Sequence, residues 1–265
     1  MQAIDTHAHF HDPGWPGGLI WPKPDAPCYR PCLPKTYRAE VGPNPVVAVE
    51  TSPRPADDAR LAGLARDDPQ IVAYVSNLQP LSRGFDRRLE AAARDPKWRG
   101  VRLRPIEGYD LGSRDLIRAL APLEGLGHIE LGIRHPRRLD ALRQFCRALP
   151  GINVVLTHAG HPVLSGTETI SDYSRLDGLE NLFVKLSPPQ DNDFSDTVTR
   201  DRMRRHFVTL RDVLAPHRFV FGSNWPVCAD PGPFRQWLRG LFSVSAAEAE
   251  AVMAGTARTL YRLSL

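Results

Sequence analysis

Two histidines separated by one residue stand in Ile4-Asp5-Thr6-His7-Ala8-His9-Phe10, directly after a short apolar start. In a β-strand, side chains alternate with period 2, so His7 and His9 share a face, and Asp5 falls on that face too. Three titratable groups aimed one way at the end of a strand are costly to bury without partners. H-x-H is a frequent metal-ligand spacing, and it also describes a pair of satisfied structural histidines; the motif alone leaves both open. Polar groups recur at the ends of later apolar runs: Glu50, Asn77, Arg102 and Arg104, His158, Lys185 and Ser187, and Asn224. Packing is a poor explanation for that recurrence, and an assembled catalytic site is a good one.

The elements that would position these residues follow from the pattern of the chain. Short apolar, β-rich runs occur at the N-terminus, Val46–Thr51, Ile71–Asn77, Gly100–Arg104, Ile129–Ile133, Asn153–His158, Leu182–Ser187 and Arg218–Asn224. Between them lie helical patterns near Ala56–Asp67, Phe85–Arg94, Asp115–Leu123, Pro136–Leu149 and Thr199–Leu214, and two more close the chain at Pro233–Leu241 and Ala246–Tyr261. Eight near-continuous apolar strands alternating with helices predict a parallel sheet buried on both faces. At 265 residues the count and length fit one closed (β/α)8 TIM barrel domain spanning 1–265. An open doubly wound sheet is the alternative, but no Gly-rich phosphate fingerprint follows the first strand. In a barrel the site lies at the C-terminal ends of the strands, where the polar residues above fall. The Pro/Gly/Trp-rich stretch 11–45 predicts a long loop, a lid or binding wall on which Trp15, Trp21 and Tyr29 line a pocket or pin the loop down.

Composition narrows the function classes. Hydrophobic residues make up 42% and charged residues 24%, as in ordinary globular proteins. No apolar run approaches the ~20 residues of a membrane span, and the strand-like start carries no leader, so a cytoplasmic location without membrane contact is expected. The four cysteines, Cys28, Cys32, Cys146 and Cys228, lack the second pair a metal knuckle needs and read as free thiols. A net charge of +4 is modest, and Arg134-His135-Pro136-Arg137-Arg138 reads as a solvated helix start, not a nucleic-acid contact. A small, anionic substrate is compatible with that charge. The expected assembly is a monomer or homodimer.

In order along the chain, the segments IDTHAHF, VVLTHAGHP, VKLS, RFVFGSNWPVC and GTARTLYRL resemble the amidohydrolase-related family of TIM-barrel, metal-dependent hydrolases. The branch they resemble holds the sugar lactonases of fuconolactonase type and pyrone-dicarboxylate lactonase. The resemblance implies that His7, His9 and His158 ligate one divalent metal, with zinc first among the candidates. It also implies that Asn224 replaces an aspartate that accepts the proton of the attacking water, which an amide cannot do. His158 or His161 then becomes the general base. With no lysine ending strand 4 and no histidine ending strand 5, a two-metal site is not implied. In this branch histidines and arginines can polarise a lactone carbonyl without a metal. Glu50, Arg102, Arg104, Lys185 and Trp225 become the substrate-binding candidates, the arginines as bidentate carboxylate partners or as rim salt bridges. The implied reaction is hydrolysis of a lactone or related cyclic ester. The alternatives are a decarboxylase-like, metal-dependent lyase, or a catalytically silent ligand-binding barrel in which Asn224 marks the loss.

Overall fold

In the computed structural model of the protein, eight parallel strands hydrogen-bond in the order of the chain, β1-β2-β3-β4-β5-β6-β7-β8. They are β1 Asp5–Ala8, β2 Val46–Val49, β3 Ile71–Ser76, β4 Trp98–Leu103, β5 His128–Leu131, β6 Val154–Leu156, β7 Leu182–Leu186 and β8 Phe219–Phe221. The structure describes residues 2–133, 138–160, 173–188, 194, 196–243 and 245–265. The ends of the sheet meet through backbone bonds just past β8: Asn224 N–H to the His7 carbonyl (2.9 Å) and His9 N–H to the Trp225 carbonyl (2.8 Å). The architecture is the (β/α)8 barrel expected from the alternation of strands and helices.

The helices begin where the sequence provides a start. Proline occupies the first turn of α1 (Pro34–Glu40) and of α2 (Pro55–Asp67), where a missing N–H costs nothing. α3 is Phe85–Ala93; Ser113 caps α4 (Arg114–Leu120), and α5 is Leu139–Ala148. Asp196 caps α6 (Thr197–Val213) by accepting from the amides of Val198 and Thr199. The chain closes with α7 (Gly232–Leu241), α8 (Ala246–Glu250), a π turn at Ala251–Gly255 and α9 (Thr256–Leu260). Among the described residues no helix is long and apolar enough to cross a membrane. The four cysteines are free.

Two expectations need correction. The stretch 11–45 is not one loop: its last third contains α1, a helix on the way from β1 to β2, and the irregular parts are those before Pro34 and after Glu40. Its proline-rich composition hid a seven-residue helix with a proline at its head. Nor does Asp5 share the face of His7. β1 pairs Asp5 with Val46 and Ala8 with Ala48, three steps against two, so a bulge intervenes and re-aims the side chains beyond it. The Asp5 carboxylate instead accepts from the amides of His7 (3.0 Å) and Ser223 (2.8 Å) and from the Tyr37 hydroxyl of α1 (2.8 Å). It latches β1 to the turn after β8 and to α1.

Below the mouth, the barrel interior holds a charged cluster. The Lys185 ammonium donates to both Glu130 oxygens (2.8 and 2.9 Å) and to the Thr6 carbonyl (2.6 Å). His128 and Tyr261 complete the shell of Glu130 at 3.2 and 2.8 Å. Burial alone would push the Glu130 carboxyl up, but the Lys185 charge and His128 outweigh it and hold the group ionised.

Gly222 lets β8 lie against β1. A Cβ there would stand 2.7 Å from the His7 Cβ, closer than real side chains approach. Gly222→Ala is therefore expected to cost about 1–3 kcal/mol, read from urea unfolding, and to lower activity by displacing His7. Wild-type stability with wild-type activity would show that β1 yields freely there.

Candidate active site

A cavity of about 140 Å³ opens at the C-terminal ends of the strands, walled by His9, Arg102, Arg104, His158, Asn224 and, from the irregular segment after β1, Trp21. His7 lies against it. Its Nε2 is 3.2 Å from the Nε2 of His9, and its ring centroid is 4.5 Å from that of His158. At the barrel mouth the His7 ring, from β1, thus contacts both His9, just past β1, and His158, at the end of β6.

Each ring is held differently. His9 Nδ1 lies 2.7 Å from the Val49 carbonyl, a partner only an N–H can serve, so its Nε2 carries the lone pair. His158 Nδ1 lies 2.7 Å from Ser187 Oγ; with the hydroxyl accepting, the other nitrogen of His158 is the basic one. His7 Nδ1 is buried without a hydrogen-bonding partner. Burial drives the pKa of both His7 and His9 well below the usual histidine value. The neighbouring His158 and Lys185 add to the effect at His7, and Arg102 adds to it at His9. Both rings are neutral at pH 7, the form in which an imidazole ligates a metal.

The histidine spacing suits a metal ion. Two nitrogens bound at about 2.0–2.1 Å to one tetrahedral ion stand about 3.3 Å apart, and the His7 and His9 Nε2 atoms nearly match that separation. Among the described residues, no three His, Cys, Asp or Glu side chains are assembled around one point, so the fit is that of a histidine pair with His158 beside it. His7 and His9 fit as the ligand pair.

Asn224 adopts a left-handed backbone (φ 57°), a conformation asparagine tolerates better than most residues, and its side-chain amide donates to the Pro188 carbonyl (2.9 Å). Arg104 lies over the Trp21 ring (5.3 Å), and Trp21 meets His9 edge-on (5.0 Å). The segment carrying Trp21 is tied to the start of α2. Arg54 donates to the carbonyls of Gly17 and Gly18, Arg60 donates to that of Pro16, and Asp57 pairs with both arginines. Trp15 lies under Arg60 (5.5 Å) and pins the segment from outside the main cavity.

Three of the expected substrate-binding residues stand elsewhere. Lys185 is wholly buried in the Glu130 cluster, because its position on β7 points it down the barrel. Trp225 faces outward against Phe10 and Tyr37, with its indole N–H donating to Glu40 (2.9 Å). Glu50 lines a small adjoining cavity of about 20 Å³ that shares His9 and Trp21 with the main one. One Glu50 oxygen accepts from the amides of Thr51 and Ser52, both at 2.7 Å. Asn77 ties loops together by donating to the carbonyls of Thr51 and Arg104. His161 and Arg134–Arg137 lie outside the described residues. Sequence reasoning missed Glu130, His128 and Tyr261; a charged residue inside the apolar run His128-Ile129-Glu130-Leu131 was the available signal, since a buried charge implies a partner.

Burial, with Asp58 and Asp57 nearby, pushes the Glu50 carboxyl up to about 7. The folded state therefore binds this proton more tightly than the unfolded chain, and stability from this group is lost as pH rises from about 4.5 through 7. Glu50→Gln should melt like wild type at pH 4. Above pH 7 it should be more stable, by about 3 kcal/mol if the whole shift is expressed. A stability difference that does not change with pH would contradict the assignment.

The amidohydrolase family model matches residues 4–263. The chain belongs to the amidohydrolase family. Within reach of this amidohydrolase is an L-fucono-1,5-lactonase of Burkholderia ambifaria, 27% identical over 250 residues, covering 87% of this chain and 82% of the relative. The barrel superposes on a Burkholderia multivorans amidohydrolase solved with bound zinc (TM-score 0.83, 24% identity, all of both chains). It also superposes on a 2-pyrone-4,6-dicarboxylic acid hydrolase of Pseudomonas putida (TM-score 0.75, 24% identity, 100% and 98% of the chains). Those two likenesses establish the fold.

Proposed function

We propose that this amidohydrolase opens a lactone by water attack at its carbonyl, with the reaction centred on His7, His9 and His158. The observation that carries the reading is the meeting of His9 and His158 with Arg102 and Arg104 in one cavity at the barrel mouth, with His7 packed against both imidazoles. The lactonases among its relatives supply the substrate class.

The residues divide the work by their surroundings. His158, its Nδ1 held by Ser187, takes the proton of the attacking water, a task Asn224 cannot perform. The negative charge that grows on the carbonyl oxygen is met by the guanidinium groups on β4 and just beyond it, which line the same cavity. Arg104, braced on Trp21, is also suited to a substrate carboxylate. Asn224 orients substrate as a neutral amide. Glu50 keeps a supporting place beside His9, while Lys185 and Trp225 hold the framework and touch no substrate.

His7 and His9 would hold one divalent metal, zinc by preference of an all-imidazole set, and when bound it would polarise the lactone carbonyl. Elemental analysis of purified protein, wild type beside His9→Ala, tests the pair: metal in the first and none in the second is expected, and equal content in both would remove it. The small-molecule substrate is the only partner proposed, and the domain is taken as a single barrel.

The activity itself is tested with a panel of aldono-1,5-lactones and linear esters, read by acid release, beside dihydroxybenzoates read by carbon dioxide release. Acid release from lactones is expected. Carbon dioxide with no lactone turnover would replace hydrolysis by the lyase reading.

A further inference from the structure

At the end of β6 two consecutive non-glycine residues are left-handed: His158 at φ 51°, ψ 37° and Ala159 at φ 49°, ψ 32°. L-residues resist that conformation, and it persists only where the surroundings hold it. Ser187 holds the His158 ring. The backbone is held by a residue from outside the cavity. His206, on α6, places Nε2 3.0 Å from the Ala159 carbonyl, where it must be the N–H donor. Its Nδ1 is then an acceptor, and the Tyr173 hydroxyl, 2.7 Å from both ring nitrogens, can donate only to that one. Ala159, Tyr173 and His206 are all buried.

Packing does not account for this choice of residue. The remainder of the buried face of α6 is Met203, Phe207 and Leu210, all apolar, and His206 is its polar exception. Burial lowers its pKa to about 4, so the ring stays neutral, and the hydrogen bonds leave it a single tautomer.

We infer that His206, backed by Tyr173, is a positioning residue that acts through the Ala159 carbonyl to fix the left-handed turn aiming the His158 imidazole into the cavity. The inference rests on the reading of His158 as proton acceptor.

The experiment compares His206→Leu, His206→Gln and Tyr173→Phe with His158→Ala, measuring kcat and KM for a turned-over lactone well below each melting temperature. His206→Leu should lower kcat about 10–100-fold, the range for residues that orient a functional histidine, and leave KM unchanged. His206→Gln, whose amide N–H can reach the same carbonyl, should restore most of the loss. Wild-type kcat in His206→Leu, or equal loss in the Leu and Gln variants, would overturn the inference. Should His206→Leu fail to fold, Tyr173→Phe decides: a loss in kcat alone supports positioning, and unchanged kcat overturns it. Full activity in His158→Ala would instead bring down the underlying reading, so the two failures are distinguishable.

Discussion

His158→Ala should lose about 10²–10⁴ of kcat on a lactone, the usual worth of a positioned general base, equivalent to about 2.7–5.5 kcal/mol of barrier. The loss should fall on kcat, because the arginines and Trp21 that line the cavity stay in place. Circular dichroism should be unchanged, since the ring fills the mouth of the barrel and not its core. Metal content should also be retained, as the proposed ligand pair is His7 and His9. Steady-state kinetics with elemental analysis of the same preparation checks both parts. A variant that loses its metal together with its activity would make His158 a ligand and leave the base unassigned.

Lys185→Met is expected to have the largest effect on stability, about 3–5 kcal/mol, because it strands the buried Glu130 carboxylate without its ion partner. It also removes the hydrogen bond to the Thr6 carbonyl, one residue before His7. The double variant Lys185→Met with Glu130→Gln should recover much of the loss, since the uncompensated charge is then gone. Urea unfolding of the two variants beside wild type measures this. A single variant as stable as wild type would mean that the pair is not the internal anchor of the barrel.

The barrel was legible because strands buried on both faces must be apolar throughout, and eight such runs alternating with helical patterns have few other solutions. The histidine pair was legible for a similarly local reason: period 2 puts His7 and His9 on one side, and both Nε2 atoms do meet. Lys185 and Trp225 show where that logic ends. Position near a strand end says that a residue is close to the mouth but not whether it points up, down or outward. Lys185 points down to Glu130, and Trp225 points out to Tyr37. Asp5 was misplaced by one residue of bulge, which no periodicity can anticipate. The partners of Glu130, and the hold of His206 on Ala159, join residues far apart in the chain. Such pairings become visible only when the sheet has closed.

The most direct measurement is turnover of an aldono-1,5-lactone in water enriched in oxygen-18, followed by mass spectrometry of the acid after correction for uncatalysed opening. Attack at the carbonyl predicts one heavy oxygen per product, in the carboxylate, formed by the wild type and not above background by His158→Ala. Product formed by the wild type with no label in its carboxylate, or with equal enzymatic labelling by His158→Ala, would contradict water activation by that histidine.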